Sequence, residues 1–183
     1  MSRKQRTPLA LSDGMITALQ EGRKRMTVRA LNERDYSFWQ DEDEDGWPVF
    51  EDDYGDLFRA PPPYGPRGSH LWVRESYRVE DGSAEYRQKT DPHRKTENSG
   101  WRPVVGMPEA YSRFRLRVTR YEFRAVVQSL TDDEIRKCGF SGPDVRSQFR
   151  RYWNKRYRAH FQKWEQNPAV WVVRFKLLTR KTR

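Results

Sequence analysis

The run Gly22-Arg23-Lys24-Arg25-Met26-Thr27-Val28-Arg29 constrains this chain more than any other stretch. Met15, Ile16 and Leu19 precede it at helical spacing, with Ser12 or Asp13 available as N-cap. Gly22 falls where a helix stops, because glycine takes the left-handed conformation at little cost. Beyond it, Met26, Val28 and Ala30 alternate with Arg25, Thr27 and Arg29, the pattern of a half-buried strand. The stretch is therefore helix, glycine stop, strand. Thr27 and Arg29 share one strand face, with Lys24 at the turn before it.

An ammonium, a hydroxyl and a guanidinium within a few residues can hold a phosphate or carboxylate, with Arg adding planar bidentate recognition. A desolvated lysine can also activate a neighbouring threonine. The same charges equally suit the solvated face of an edge strand. The eight residues alone leave both readings open.

With 183 residues the chain is long enough for one domain with a real core. Hydrophobic residues make up 35% and charged residues 34%, so that core must be small for the chain's length. Seven Trp, nine Tyr and nine Phe argue against wholesale disorder. A lone Cys138 excludes an internal disulfide and fits a reducing cytoplasm, and with three scattered His it leaves no zinc site and no expected cofactor. No apolar run is long enough to span a bilayer, and no membrane partner is expected.

Charge is distributed unevenly. The chain carries +10 overall, yet Asp41 to Asp56 holds nine acidic residues and no basic ones. The remainder has 36 basic against 17 acidic residues, or +19, a field that attracts polyanions, nucleic acid first.

Along the chain, residues 1–8 read as a flexible basic arm and residues 32–69 as an irregular insertion, acidic in front and proline-rich (Pro61 to Pro66) behind. The acidic half lacks calcium-loop spacing and reads as a solvated loop, with residues 36–58 a possible surface for a protein partner. His70 to Val79 reads as a strand with a bulge near Glu75, pairing across Asp81-Gly82 with Ala84 to Gln88. Phe114 to Val127 is the clearest strand, with Phe114, Leu116 and Val118 facing a core and Arg113, Arg115 and Arg117 facing water or a ligand. Thr131 with Glu134 forms a capping box. Asp144 to Trp164 reads as one amphipathic helix with an aromatic core stripe and a basic face that includes Arg150 and Arg151. Ala169 to Leu178 is a final buried strand, followed by a basic tail at 179–183.

The signature run matches G-x-K-x-x-T-x-R and resembles the ASCH domain, a small β-barrel of the PUA-like superfamily. Leu71-Trp72-Val73-Arg74-Glu75-Ser76, Trp101-Arg102-Pro103, Met107-Pro108, Ser112-Arg113 and the closing Trp164 to Phe175 resemble a phage-encoded branch of it. The resemblance covers about residues 12 to 178 and implies one α+β domain, a β-barrel with flanking helices. It implies RNA or modified-base binding in the cytoplasm of a bacterial host. Trp72 and Trp101 would serve as stacking walls, and Arg74 and Glu75 as edge readers. Lys24, Thr27, Arg29, Arg102, Arg113, Arg115, Arg150 and Arg151 would hold phosphate or ligand.

One group of small bacterial ASCH proteins, similar at the signature, hydrolyses the amide of N4-acetylcytidine. Lys24 and Thr27 match two of its catalytic positions, and Glu75 is the candidate for the third role. The position of that group's catalytic glutamate is occupied here by Cys138, with Glu134 one turn earlier. The chain thus reads as a nucleic-acid-binding domain, with a nucleoside hydrolase, a ribonuclease or a protein-interaction module as alternatives.

Overall fold

Alternation along two long segments dictates the centre of the fold. The computed structural model describes residues 6–31, 38–42, 47–51, 54–87 and 100–180. Its strands are β1 (Arg6–Ala10), β2 (Met26–Ala30), β3 (Phe38–Glu42), β4 (Pro48–Glu51), β5 (Leu57–Arg59), β6 (His70–Arg74), β7 (Tyr77–Glu80), β8 (Ser83–Tyr86), β9 (Phe114–Arg124) and β10 (Val170–Arg180). The helices are α1 (Asp13–Gln20), α2 (Asp132–Lys137) and α3 (Val145–Arg156), joined by short 3-10 turns. The result is an α+β fold built on a five-stranded sheet, curled into a half-barrel, in the order β1-β6-β9-β10-β2.

β9 and β10 pair antiparallel along nearly their full lengths, and β1 joins β6 in parallel. Phe114, Leu116 and Val118 turn inward and are almost wholly buried, which at about 1.5–3 kcal/mol for each large side chain anchors the sheet. Trp171, Val173 and Phe175 of β10 join that inner core with Met15, Ile16 and Leu19 of α1. The alternate residues Val170 and Val172 are equally buried, because α2 and α3 cover the other side there with Ile135, Val145, Phe149 and Trp153. The sheet is thus two-sided at its β10-β2 end. At its β1-β6-β9 end the outward positions include Arg115, Arg117 and His70, which are half-buried or exposed.

Several expectations change. Arg6 to Pro8 belong to β1, since parallel pairing with β6 ties down what reads as a loose arm; residues 1–5 lie outside the described residues. The 32–69 stretch is not uniformly irregular: β3, β4 and β5 form a sheet of their own, packed through Phe50 onto the inner core, which Tyr64 of the proline-rich turn also joins. Much of the acidic run lies outside the described residues. β9 stops at Arg124, and a 3-10 turn at Val127–Ser129 follows. β10 reaches Arg180, so only residues 181–183 of the tail lie outside the description.

The helix read over 144–164 ends at Arg156. There the chain folds back, with Trp153 Nε1 donating to the Gln162 carbonyl and the Trp164 amide to Asn154 Oδ1. The turn-back gives edge strand β2 partners it otherwise lacks: the Ala30 amide donates to the Tyr157 hydroxyl, and Gln162 donates to the Leu31 carbonyl. Tertiary hydrogen bonds outweigh helical continuation. Among the described residues no helix is long and apolar enough to cross a membrane.

Candidate functional site

Lys24 is held by the helix stop the sequence predicts. Gly22 sits at φ +72°, and the Lys24 amide donates to Ala18 O at 2.9 Å, closing α1. Its side chain is 2% exposed, and the ammonium donates to Met26 O at 2.9 Å and Cys138 O at 2.7 Å. The second acceptor lies at the C-terminal end of α2, where unpaired carbonyls favour a cation. Gly139, at φ +104°, permits the approach: a Cβ there would lie 3.2 Å from Ala18 Cβ and 3.5 Å from Lys24 Cβ.

Burial is the main reason the Lys24 amine is lowered from 10.5 to about 8; the adjacent Cys138 works the other way, and the charges of Arg29 and Arg156 add to the lowering. Burial also pushes the Cys138 thiol up to about 11, so at neutral pH it is a thiol and not a nucleophile.

Thr27 and Arg29 share the inner face of β2, in register with Val173 and Trp171 of β10. Arg29 Nη1 donates to Thr27 Oγ1 and to the Val28 carbonyl, each at 2.9 Å, and Nε donates to the Tyr64 hydroxyl at 2.5 Å. The guanidinium also lies 5.4 Å from the centre of the Tyr64 ring. Burial raises the Tyr64 phenol above its ordinary value despite that cation, so it stays protonated and keeps a hydrogen to donate. Tyr152 and Tyr157, from the end of α3, also act on the Arg29 charge, and Arg156 on that of Lys24. Lys24 and Thr27 are buried, Arg29 half-buried and Arg156 exposed, so the cluster grades from the interior to solvent on the α3 side.

Three cations and three phenols therefore gather at β2, and among the described residues the groups acting most strongly on Lys24 and Arg29 are Cys138, Arg156 and the three tyrosines. Glu134 is engaged elsewhere: it caps α2, accepts two bonds from Arg124 at 3.0 and 2.7 Å, and one from Arg174 at 2.9 Å. Burial pushes its carboxyl up, but Arg124 and the Thr131 amide outweigh that and hold it below its usual value. Among the described residues no three His, Cys, Asp or Glu side chains gather into a metal site.

Glu75 is not brought to Lys24. It is 1% exposed and takes both arms of Arg113, Nε at 2.9 Å and Nη2 at 2.7 Å. Burial raises its carboxyl pKa, and Arg113 opposes that without cancelling it. The neighbouring Phe114 pairs with Arg180, whereas Thr27 pairs with Val173. Seven residues of β10 separate the two, about 23 Å at roughly 3.3 Å per residue. Arg113 is thus part of a buried ion pair and not of an exposed basic row, its guanidinium lying 4.4 Å from the Tyr86 ring centre. Instead of bulging at Glu75, the chain leaves β6 after Arg74 and starts the separate β7-β8 hairpin at Tyr77.

The remaining candidates are dispersed. Trp101 lies beside Arg78, 5.4 Å from ring centre to guanidinium, and the Arg102 amide donates to Tyr77 O, so both belong to the β7 end. Trp72 is buried, with the Arg74 guanidinium 4.7 Å from its ring centre, in register with Arg115 across β6-β9. Arg150 is held by Glu165 at 2.6 Å, while Arg151 is exposed. Tyr64, Tyr152 and Arg156 were not singled out in the sequence. A lone tyrosine inside a proline cluster, and a Tyr–Arg pair four apart at a helix end, were the available signals.

No family model matches the chain, and no curated protein matches it. Among solved structures, a protein of Enterococcus faecalis V583 described as DUF984 superposes with a TM-score of 0.46 and 10% identity, covering 97% of this chain and 84% of that one. A likeness that distant carries neither fold nor function to this chain.

Proposed function

We propose that the chain is a nucleic-acid-binding domain of the PUA-like, ASCH type, taking RNA or a modified base at the β2 cluster. One observation carries this reading: buried Lys24 and half-buried Arg29 gather with Arg156, Tyr64 and Tyr152, and among the described residues the groups acting most strongly on the two are cations, phenols and the Cys138 thiol. Gathered cations suit a phosphate, and phenol rings suit a planar base. The curled sheet supports the PUA-like assignment.

The test is fluorescence anisotropy with single-stranded RNA across a salt series. Neutralising three phosphates predicts an affinity loss of roughly 20-fold between 50 and 200 mM salt. No binding at low salt, or binding indifferent to salt, contradicts the proposal.

A second reading, hydrolysis of an acylated nucleoside such as N4-acetylcytidine, draws on the lowered Lys24 amine, three positions before Thr27 in the chain. An amine with a pKa of about 8 can serve as a base in mildly alkaline solution. Among the described residues, the groups placed to return a proton to the leaving amine are Lys24 itself and the Tyr64 phenol. Incubation with N4-acetylcytidine decides it: cytidine release that disappears in Lys24→Met supports catalysis at this site, and no release refutes it.

A further inference from the structure

Outside the β2 cluster lies a cavity of about 240 Å³ with Trp72, His70, Arg6, Arg115, Glu109 and Leu178 in its walls. It sits at the β1-β6-β9 end of the sheet, where the 3-10 turn Glu109–Tyr111 supplies Glu109. Trp72 and Arg115 are register partners across β6-β9, and Arg115 is the partner of Thr179 across β9-β10. Leu178 falls at the register shift just before Thr179 and is 40% exposed, which leaves an apolar lip open to water.

One polar observation sets this cavity apart. Among the described residues, the buried side-chain nitrogens without a hydrogen-bond partner are Arg74 Nε and Arg115 Nη1. The Arg74 guanidinium lies 4.7 Å from the Trp72 ring centre, and Arg115, the register partner of Trp72, is the one of the two in the cavity wall. A buried donor left unsatisfied costs about 1–3 kcal/mol, so Arg115 Nη1, on a residue of the cavity wall, can be relieved by an acceptor from outside the chain. The carboxylate in the wall does not supply it: Glu109 Oε1 is taken by Arg6 at 3.2 Å and by Arg115 Nη2 at 3.3 Å, which offsets its charge and leaves Nη1 free.

We propose that this cavity is a second ligand site, for one nucleoside monophosphate unit, its base against Trp72 and Leu178 and its phosphate on Arg115. The volume is below the range of drug-sized pockets and limits the site to one nucleotide unit. One step along the sheet, His70, Arg117 and Lys176 form the next register row, with Arg117 and Lys176 exposed. Two residues along a strand is about 7 Å, so that row places further cations beside the pocket for a neighbouring phosphate. The unit is therefore taken either free or as part of a single strand. None of these side chains belongs to the β2 cluster.

The test uses the full chain with uridine 5′-monophosphate and with a five-residue oligouridylate containing 4-thiouridine. Binding is measured for the wild type, for Arg115→Gln, and for Leu178→Glu, which places a negative charge on an exposed lip. Each variant is expected to weaken binding tenfold or more, and photocrosslinks are expected in the peptide spanning residues 70–74. Equal affinity for the monophosphate and the strand identifies a free-nucleotide site. Binding of the strand alone identifies a strand reader. Crosslinks confined to residues 60–66 or 152–157 with both variants at wild-type affinity overturn this site while leaving the β2 reading standing. Absence of binding by both probes overturns it as well.

Discussion

Lys24 Nζ donates to the carbonyl oxygen of Cys138 at 2.7 Å, joining the turn after α1 to the residue that caps the C-terminal end of α2. That bond holds a cation in the protein interior. Burial of the Lys24 amine and the Cys138 thiol also makes stability depend on pH in a way set by the two residues together.

The Lys24 amine is lowered from 10.5 to about 8, so between those values the unfolded chain binds more protons than the folded one. Stability therefore rises with pH across that window, by about 1 kcal/mol from pH 7 to 9. Cys138 is raised from 9 to about 11, so above pH 9 the folded chain retains a proton that the unfolded one loses, and its contribution falls with pH. Urea midpoints are expected to climb from pH 7 to 9 and flatten by pH 10. Lys24→Met removes the climb, and Cys138→Ala removes the flattening. A midpoint independent of pH in the wild type contradicts the burial of the ammonium.

Glu75 and Arg113 form a buried bidentate pair, and removing one partner strands the other's charge. Arg113→Leu is expected to cost about 3 kcal/mol in urea denaturation. The double variant Glu75→Leu with Arg113→Leu recovers most of that loss, and RNA affinity at the β2 cluster is retained in it. A double variant as unstable as the single one would show that the ion pair is net stabilising.

Gly139 combines a φ of +104° with close approach to Ala18 and Lys24. Gly139→Ala is expected to destabilise by about 2 kcal/mol through backbone strain and displacement of α2. The displacement loosens the Lys24–Cys138 bond, and the same urea series should show the climb between pH 7 and 9 diminished. A neutral substitution would mean that the turn relaxes without moving the helix.

Much of the frame was legible in the sequence. Gly22 as helix stop, the alternating faces of β2 and β9, the β7-β8 hairpin and the Thr131–Glu134 capping box all rest on interactions within a few residues, which local pattern can reveal. Contacts made at long range were not legible. That Arg113 turns to Glu75, 38 positions away, rather than joining the outward row of Arg115 and Arg117, depends on where the chain goes after β6. The same holds for Tyr64, whose contact with Arg29 places it at the cluster, and for Arg156, whose position follows from a helix that ends eight residues before the aromatic spacing suggests. Pattern shows which residues face inward. It does not show which partner they meet there.

The β2 cluster also predicts a division between binding and stability. Tyr64→Phe removes the acceptor of Arg29 Nε and is expected to cost about 1 kcal/mol of stability, with a similar loss in RNA affinity. Calorimetry and anisotropy on one preparation check both. Full stability with lost binding would place the phenol in direct contact with ligand, and loss of stability alone would confine it to orienting Arg29.

Arg156 is the exposed cation of the cluster, so its charge can be reversed without disturbing the core. The most direct measurement is the affinity of Arg156→Glu for single-stranded RNA at 50 mM salt, by anisotropy, beside its thermal midpoint. The account predicts at least a tenfold loss of affinity with an unchanged midpoint. Wild-type affinity in a folded Arg156→Glu protein would contradict it.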